Sequence, residues 1–84
     1  MDFIYHTDGG HGWVETDKAL LKQLKIDNQI TGYSYERGDK AYLEEDCDLS
    51  TLIKSLEAEN IQYKLIELYK DHSPIRNYSQ YQGA

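Results

Sequence analysis

Two histidines and a carboxylate flank a glycine pair near the start of the chain, and all three can ligate a metal ion. His6, Asp8 and His11 surround Gly9-Gly10. Imidazole and carboxylate groups are common ligands of zinc and iron. No fourth ligand stands at a spacing typical of a known site, so a hairpin loop with two exposed histidines explains the same residues. His6, Asp8 and His11 remain candidates for metal ligation, and the sequence predicts no cofactor.

The glycine run from Gly9 to Gly12 could present backbone N–H groups to an anion. It lacks the lysine of a phosphate-binding P-loop, and it leads into a predicted strand rather than a helix. Turn geometry therefore explains these glycines better than phosphate binding does.

Residues 36–48 concentrate the negative charge of the chain. Six carboxylates in this segment face only Arg37 and Lys40, which leaves −4 of the total charge of −6. The acids are Glu36, Asp39, Glu44, Glu45, Asp46 and Asp48. A dense acidic edge can imitate a row of phosphates and attract a basic cleft. The alternative is a solvated loop whose last acids favour a helix N-terminus.

Tyrosines accompany this acidic segment, and tyrosine is enriched at binding hot spots. The predicted partner-binding residues are Glu44, Glu45, Asp46 and Asp48, with Tyr33, Tyr35 and Tyr42 as supporting contacts. The neighbouring Cys47 could act as a nucleophile beside a histidine, but its acidic flanks disfavour the thiolate. The sequence therefore predicts a structural cysteine and no catalytic residue.

The overall charge narrows the choice of partner. A net charge of −6 argues against direct contact with nucleic-acid phosphates or an anionic membrane, and it suits a basic protein partner. A chain of 84 residues builds a thin core, which favours surface binding or a homodimer. The start of the chain does not resemble a signal peptide, so we expect a cytoplasmic protein.

Hydrophobic periodicity and turn residues predict the elements that position these groups. Strands are expected at 2–6, 11–15, 30–36, 40–44 and 61–69, with one helix at 17–25 and another from a cap at Asp48 or Ser50 to Asn60. The order β-β-α-β-β-α-β predicts one α+β domain over residues 1–70, with a mainly antiparallel sheet and two helices packed on one face. Residues 71–84 are expected to form an extended C-terminal tail.

Several blocks of the sequence are distinctive. They are Gly10-His11-Gly12-Trp13, Tyr33-Ser34-Tyr35 with Arg37-Gly38-Asp39, the run from Tyr42 to Asp48, and the run from Ser73 to Tyr78. Together they resemble a family of small uncharacterised proteins carried by bacteriophages, prophages and plasmids. The resemblance implies a bacterial host cell and assigns no catalytic residue. By class, such proteins are similar to anti-CRISPR and anti-restriction proteins.

The sequence thus leads to two hypotheses. The first is a non-enzymatic acidic binding protein of a mobile element, which inhibits a basic host protein such as a nucleic-acid-binding defence enzyme. The second is a small metal- or ligand-binding protein that uses the loop from His6 to His11.

Overall fold

A hairpin at the start of the chain supplies two inner strands of the sheet. In a computed structural model that describes residues 1–82, β1 (Asp2–Thr7) pairs antiparallel with β2 (Gly12–Asp17). Gly9 adopts a φ of +85° in the turn, a conformation that glycine reaches without strain. The predicted hairpin turn is therefore present.

A second hairpin extends this sheet. Strands β3 (Tyr35–Arg37) and β4 (Lys40–Glu44) pair across a turn at Gly38, and β4 also pairs antiparallel with β2. We expected the third strand to begin at residue 30. Instead, the side chain of Ile30 is buried in the core and the chain turns before β3, so tertiary packing overrides the local alternation.

The two helices are α1 (Lys18–Gln23) and α2 (Leu49–Ala58). Helix α1 is shorter than predicted, because Lys25 takes a left-handed φ of 62° just after the helix ends. Asn60 takes a φ of 55° after α2, which confirms the predicted left-handed stop. Neither helix in the described part of the chain has the length and apolar content needed to cross a membrane.

Strand β5 (Lys64–Tyr69) runs parallel to β1, and the short β6 (Ser79–Gln80) pairs with β3. The strand order is β5-β1-β2-β4-β3-β6, so the sheet is mixed, with four of its five pairings antiparallel. The predicted α+β class with two helices is confirmed. The observed order adds a sixth strand and two short 3₁₀ turns.

The sheet separates two clusters of apolar side chains. Successive residues of a strand point to opposite faces, so Val14 packs with the helices while Trp13 lies on the other face. The helix-side core includes Leu21 of α1 and Leu52 of α2, both with no exposed surface. This places both helices on one face, as predicted.

The last segment is part of the domain rather than a tail. A 3₁₀ turn (Pro74–Asn77) places Ile75, which is 1% exposed, against Trp13 and Tyr42. Tyr81 then enters the helix-side core, where its hydroxyl donates to the carbonyl oxygen of Asp27 at 2.8 Å. The boundary expected at residue 70 is therefore corrected, because Ile75 and Tyr81 bury side chains on both faces of the sheet. The last two predicted tail residues, 83 and 84, lie outside the described range.

Candidate functional site

A cavity of about 320 Å³ lies where β2 begins and β4 ends, and we call it the Trp13 cavity. Its lining consists of His11, Trp13, Tyr33, Tyr35, Glu44, Asp46, Cys47 and Arg76. Trp13 and Glu44 are paired across β2 and β4, so both side chains leave the same face of the sheet, opposite the helices. The lining therefore combines aromatic rings with acidic groups on one face.

The indole of Trp13 forms the buried wall of the cavity. Trp13 is 2% exposed, and its ring centroid lies 6.2 Å from the ring of Tyr35 in an edge-on arrangement. The imidazole of His11 lies 6.2 Å away on a tilted plane. Within residues 1–82, the buried indole Nε1–H has no hydrogen-bond acceptor. Buried donors are rarely left without an acceptor, so this N–H is a candidate contact for a ligand.

Two carboxylates supply the negative charge of the cavity. Glu44 is 9% exposed, and its Oε2 accepts the backbone N–H groups of Asp46 and Cys47, both at 2.9 Å. Asp46 is exposed at the rim. No lysine or arginine of the described chain forms an ion pair with either carboxylate. A largely buried carboxylate without a cationic partner creates a site that attracts positive charge.

Arg76 also lines the cavity, but its charge is already engaged. Its Nε donates to Oδ2 of Asp8 at 2.6 Å and its terminal NH₂ donates to Oδ1 at 3.2 Å. Asp8 also accepts the backbone N–H groups of Gly10 and His11, and its side chain is 3% exposed. The Arg76 guanidinium therefore holds the pKa of the Asp8 carboxyl well below its usual range. The guanidinium lies 5.4 Å from the centroid of the Trp13 ring, a cation–π contact.

The structure does not gather the metal ligands that the sequence suggested. The Nε2 atom of His6 lies 2.9 Å from Oε1 of Glu15, and the carboxylate of Asp8 forms an ion pair with Arg76. His11 instead approaches two acids from the acidic segment. One ligand atom each of His11, Glu44 and Asp46 lies within 4.8 Å of the others.

The seven predicted partner-binding residues fall into different environments. Tyr33 is 72% exposed at the cavity rim, and Tyr35 is half-buried beside it. Tyr42 is 8% exposed and does not line the cavity: it packs in the apolar cluster of Trp13, with its ring centroid 5.1 Å from that of Tyr78. Glu45 is directed elsewhere: it accepts the Tyr5 hydroxyl, and this bond raises the pKa of Tyr5 to about 12.

Asp48 is a structural residue. It is 1% exposed, and its carboxylate accepts the Thr31 backbone N–H at 3.1 Å, the Thr31 hydroxyl at 2.8 Å and the Ser34 hydroxyl. These bonds hold the loop before β3 against the start of α2. Asp48 is therefore buried away from any partner in this conformation, and Asp46 is the exposed acid of the four.

Cys47 is exposed and lines the cavity as a free thiol. Desolvation and a hydrogen bond to Glu44 raise the pKa of the thiol. The neutral form of the thiol is therefore favoured, as the acidic flanks suggested.

Sequence reasoning did not assign Trp13 or Arg76 to the site. The contact of Arg76 with Asp8 spans 68 positions, and no local pattern marks it. The signal that could have indicated Trp13 is its place as the only tryptophan, directly after the glycine run.

No protein-family model matches the chain, and searches of curated proteins and of solved structures give no match either.

Proposed function

We propose that this protein is a non-enzymatic acidic binding protein that accepts a lysine or arginine side chain of a basic partner in the Trp13 cavity. The observation that carries the proposal is the pair of carboxylates, Glu44 and Asp46, beside the rings of Trp13, Tyr33 and Tyr35 without a lysine or arginine ion pair within residues 1–82.

This combination suits an organic cation on two grounds. An aromatic face attracts an ammonium or guanidinium group by about 0.5–2 kcal/mol, depending on exposure. A carboxylate that receives a charged donor forms a shorter and stronger hydrogen bond than a neutral pair. The exposed Tyr33 and Asp46 would meet the partner first, while the half-buried Tyr35 and the buried Glu44 would bind the inserted end.

The charge of the whole molecule favours the same class of partner. A net charge of −6 on 84 residues raises the encounter rate with a basic surface and lowers it with nucleic acid. Together with the resemblance to mobile-element proteins, this supports a host nucleic-acid-binding protein as the partner. A defence enzyme of the CRISPR or restriction type is the target class, and occupation of its phosphate-binding cleft would inhibit it.

Affinity capture with charge-matched variants tests this function. Tagged wild-type protein is incubated with bacterial lysate beside Asp46→Asn and Glu57→Gln, each of which removes one negative charge. Glu57 is exposed on α2, on the helix side of the sheet. We expect a basic partner that the wild type and Glu57→Gln retain and that Asp46→Asn loses.

Two further measurements complete the experiment. The captured complex should dissociate as salt rises, because salt screens the attraction between exposed charges. The Debye length is about 10 Å at 0.1 M ionic strength and shortens as more salt is added. The purified partner should lose its nucleic acid when the wild-type protein is added. Equal capture by Asp46→Asn and by wild type would contradict the assignment of the cavity.

A homodimer, which the sequence also suggested, would most readily use the edge strand β5. Ile66, Leu68 and Tyr69 of this strand are 41%, 43% and 57% exposed, and within residues 1–82 β5 pairs with β1 alone. Unpaired edges with exposed apolar side chains are common sites of strand pairing between chains. Light scattering of wild type and of Leu68→Lys tests this, since a dimer built on this edge should dissociate in the variant.

A further inference from the structure

We propose that His11, Glu44 and Asp46 form a binding site for a divalent transition-metal ion, with Zn²⁺ as the expected occupant. This site differs from the set that the loop sequence suggested, because it joins one residue of the first turn to two residues at the end of β4. The proposal does not rest on the partner-binding function, but the ion and a partner's cationic side chain would compete for the same two carboxylates, Glu44 and Asp46.

The distances are close to those of a metal site. One imidazole nitrogen and two carboxylate oxygens lie within 4.8 Å of one another. Zinc binds nitrogen and oxygen at about 2.0–2.2 Å, so ligand atoms around one ion lie roughly 3–4 Å apart. His11 and Asp46 are exposed, so their side chains can move the short distance that remains. Glu44 is fixed by two backbone N–H groups, which its Oε2 accepts.

The electrostatics favour a cation at this point. Two carboxylates converge here, Glu44 is 9% exposed, and neither has an ion pair with a basic side chain in the described residues. The nearest positive side chain in the cavity, Arg76, is bound to Asp8 through two donors. A divalent ion would balance both carboxylates at once.

A second feature points to a ligand. The Nε1–H of Trp13 is buried without an acceptor within residues 1–82, and Trp13 is 2% exposed in the wall of the same cavity. Three protein ligands leave one position of a tetrahedral ion for water. The indole N–H shows that this wall of the cavity holds a buried donor without a protein acceptor in the described chain.

The ligand set indicates the class of ion. One imidazole with two carboxylates is borderline in softness, which suits Zn²⁺ and related first-row ions better than Ca²⁺, which prefers six to eight oxygens. The thiol of Cys47 lines the same cavity and hydrogen-bonds to Glu44. Cadmium or cobalt spectra would show whether this sulfur joins the ligands.

Isothermal titration of the metal-free full chain with ZnCl₂ tests the proposal. We expect one ion per chain in the wild type and a fall in affinity of at least about tenfold in His11→Gln and in Asp46→Asn, since even the loss of an outer-shell contact costs about 10–100-fold. The matched controls are His72→Gln and Glu57→Gln, which change the same residue types at exposed positions outside the cavity. Both controls should bind as the wild type does.

The single tryptophan gives an independent readout. Trp13 is the only indole of the chain and lines the site, so Zn²⁺ should change its fluorescence, and a chelator should restore it. Absence of stoichiometric binding by the wild type would overturn the proposal. Equal affinity in His11→Gln and wild type, with both folded by circular dichroism, would overturn it as well. Either result leaves the capture of a basic partner unchanged, so the two proposals fail separately.

Discussion

Trp13 lies directly opposite Glu44 in the antiparallel pairing of β2 with β4. This register places a buried indole and a largely buried carboxylate side by side on one face of the sheet. A shift of one strand by one residue would send its member of this pair into the helix-side core and separate the two side chains. The cavity therefore depends on the register of two central strands, which the core residues Val14 and Leu43 fix on the opposite face.

Glu44 has a structural role as well as a charge, and substitutions separate the two. Glu44→Ala removes the acceptor of two backbone N–H groups, so we expect a loss of about 1–3 kcal/mol in the free energy of unfolding. Glu44→Gln keeps an oxygen acceptor and should lose less than half of that. Urea unfolding measures both, and equal losses would contradict the assigned hydrogen bonds.

Two acids of the same segment, Asp46 and Asp48, should behave oppositely. Asp48→Ala leaves three buried or half-buried donors without their acceptor, and we expect it to cost about 3 kcal/mol or more. Asp46→Ala changes an exposed side chain and should alter stability by less than about 0.5 kcal/mol. Thermal and urea unfolding compare the two variants. A neutral effect of Asp48→Ala would show that its carboxylate does not hold the loop.

The C-terminal segment should unfold together with the rest of the domain. Ile75 lies in the 3₁₀ turn and is 1% exposed, because its side chain packs against the sheet. Ile75→Ala should therefore lower the free energy of unfolding by about 2–4 kcal/mol. A flexible tail would make the same substitution neutral. Exposed Pro74 is a nearby control, because Pro74→Ala removes little buried surface.

The hydroxyl of Tyr5 gives a pH dependence with a defined sign. Its hydrogen bond to Glu45 raises its pKa from 10.0 to about 12. Because the folded-state pKa is raised, the bond contributes its full stability below pH 10.0 and loses it as the pH rises to about 12. Carbon-13 spectra of labelled tyrosine should show the resonance of Tyr5 titrating late in the wild type, and its titration should move toward 10 in Glu45→Gln, while the titrations of the other tyrosines stay in place. An unchanged titration in that variant would exclude Glu45 as the cause.

Local signals in the sequence were sufficient for much of the fold. Gly9 and Asn60 both take the positive φ that their residue types favour, and the amphipathic pattern of α2 placed Leu52 and Leu56 in the core. The site depends on partners far apart in the chain. Charge alone could not distinguish Asp48, which binds Thr31 and Ser34, from the exposed Asp46.

Contacts between residues far apart in the chain also explain why the end of the domain was predicted at residue 70. Residues 71–82 have no periodicity, because each of their anchors packs against a different element. Ile75 packs with Trp13 on one face of the sheet, while the hydroxyl of Tyr81 donates a hydrogen bond to the carbonyl oxygen of Asp27. A pattern along the chain contains no signal for such contacts, since Asp27 lies 54 positions from Tyr81 and both Trp13 and Tyr42 lie more than 30 positions from Ile75.

The indole N–H resonance of Trp13 tests the central claim, that the Trp13 cavity binds a cationic side chain, most directly. The chain has one tryptophan, so ¹⁵N-labelled protein gives one indole cross-peak. We predict that a lysine- and arginine-containing peptide at low salt shifts this peak saturably in wild type and Glu57→Gln, and not in Asp46→Asn. A glutamine peptide of equal length should have no effect. An indole peak that stays in place with the basic peptide, or shifts equally in Asp46→Asn, would contradict the account.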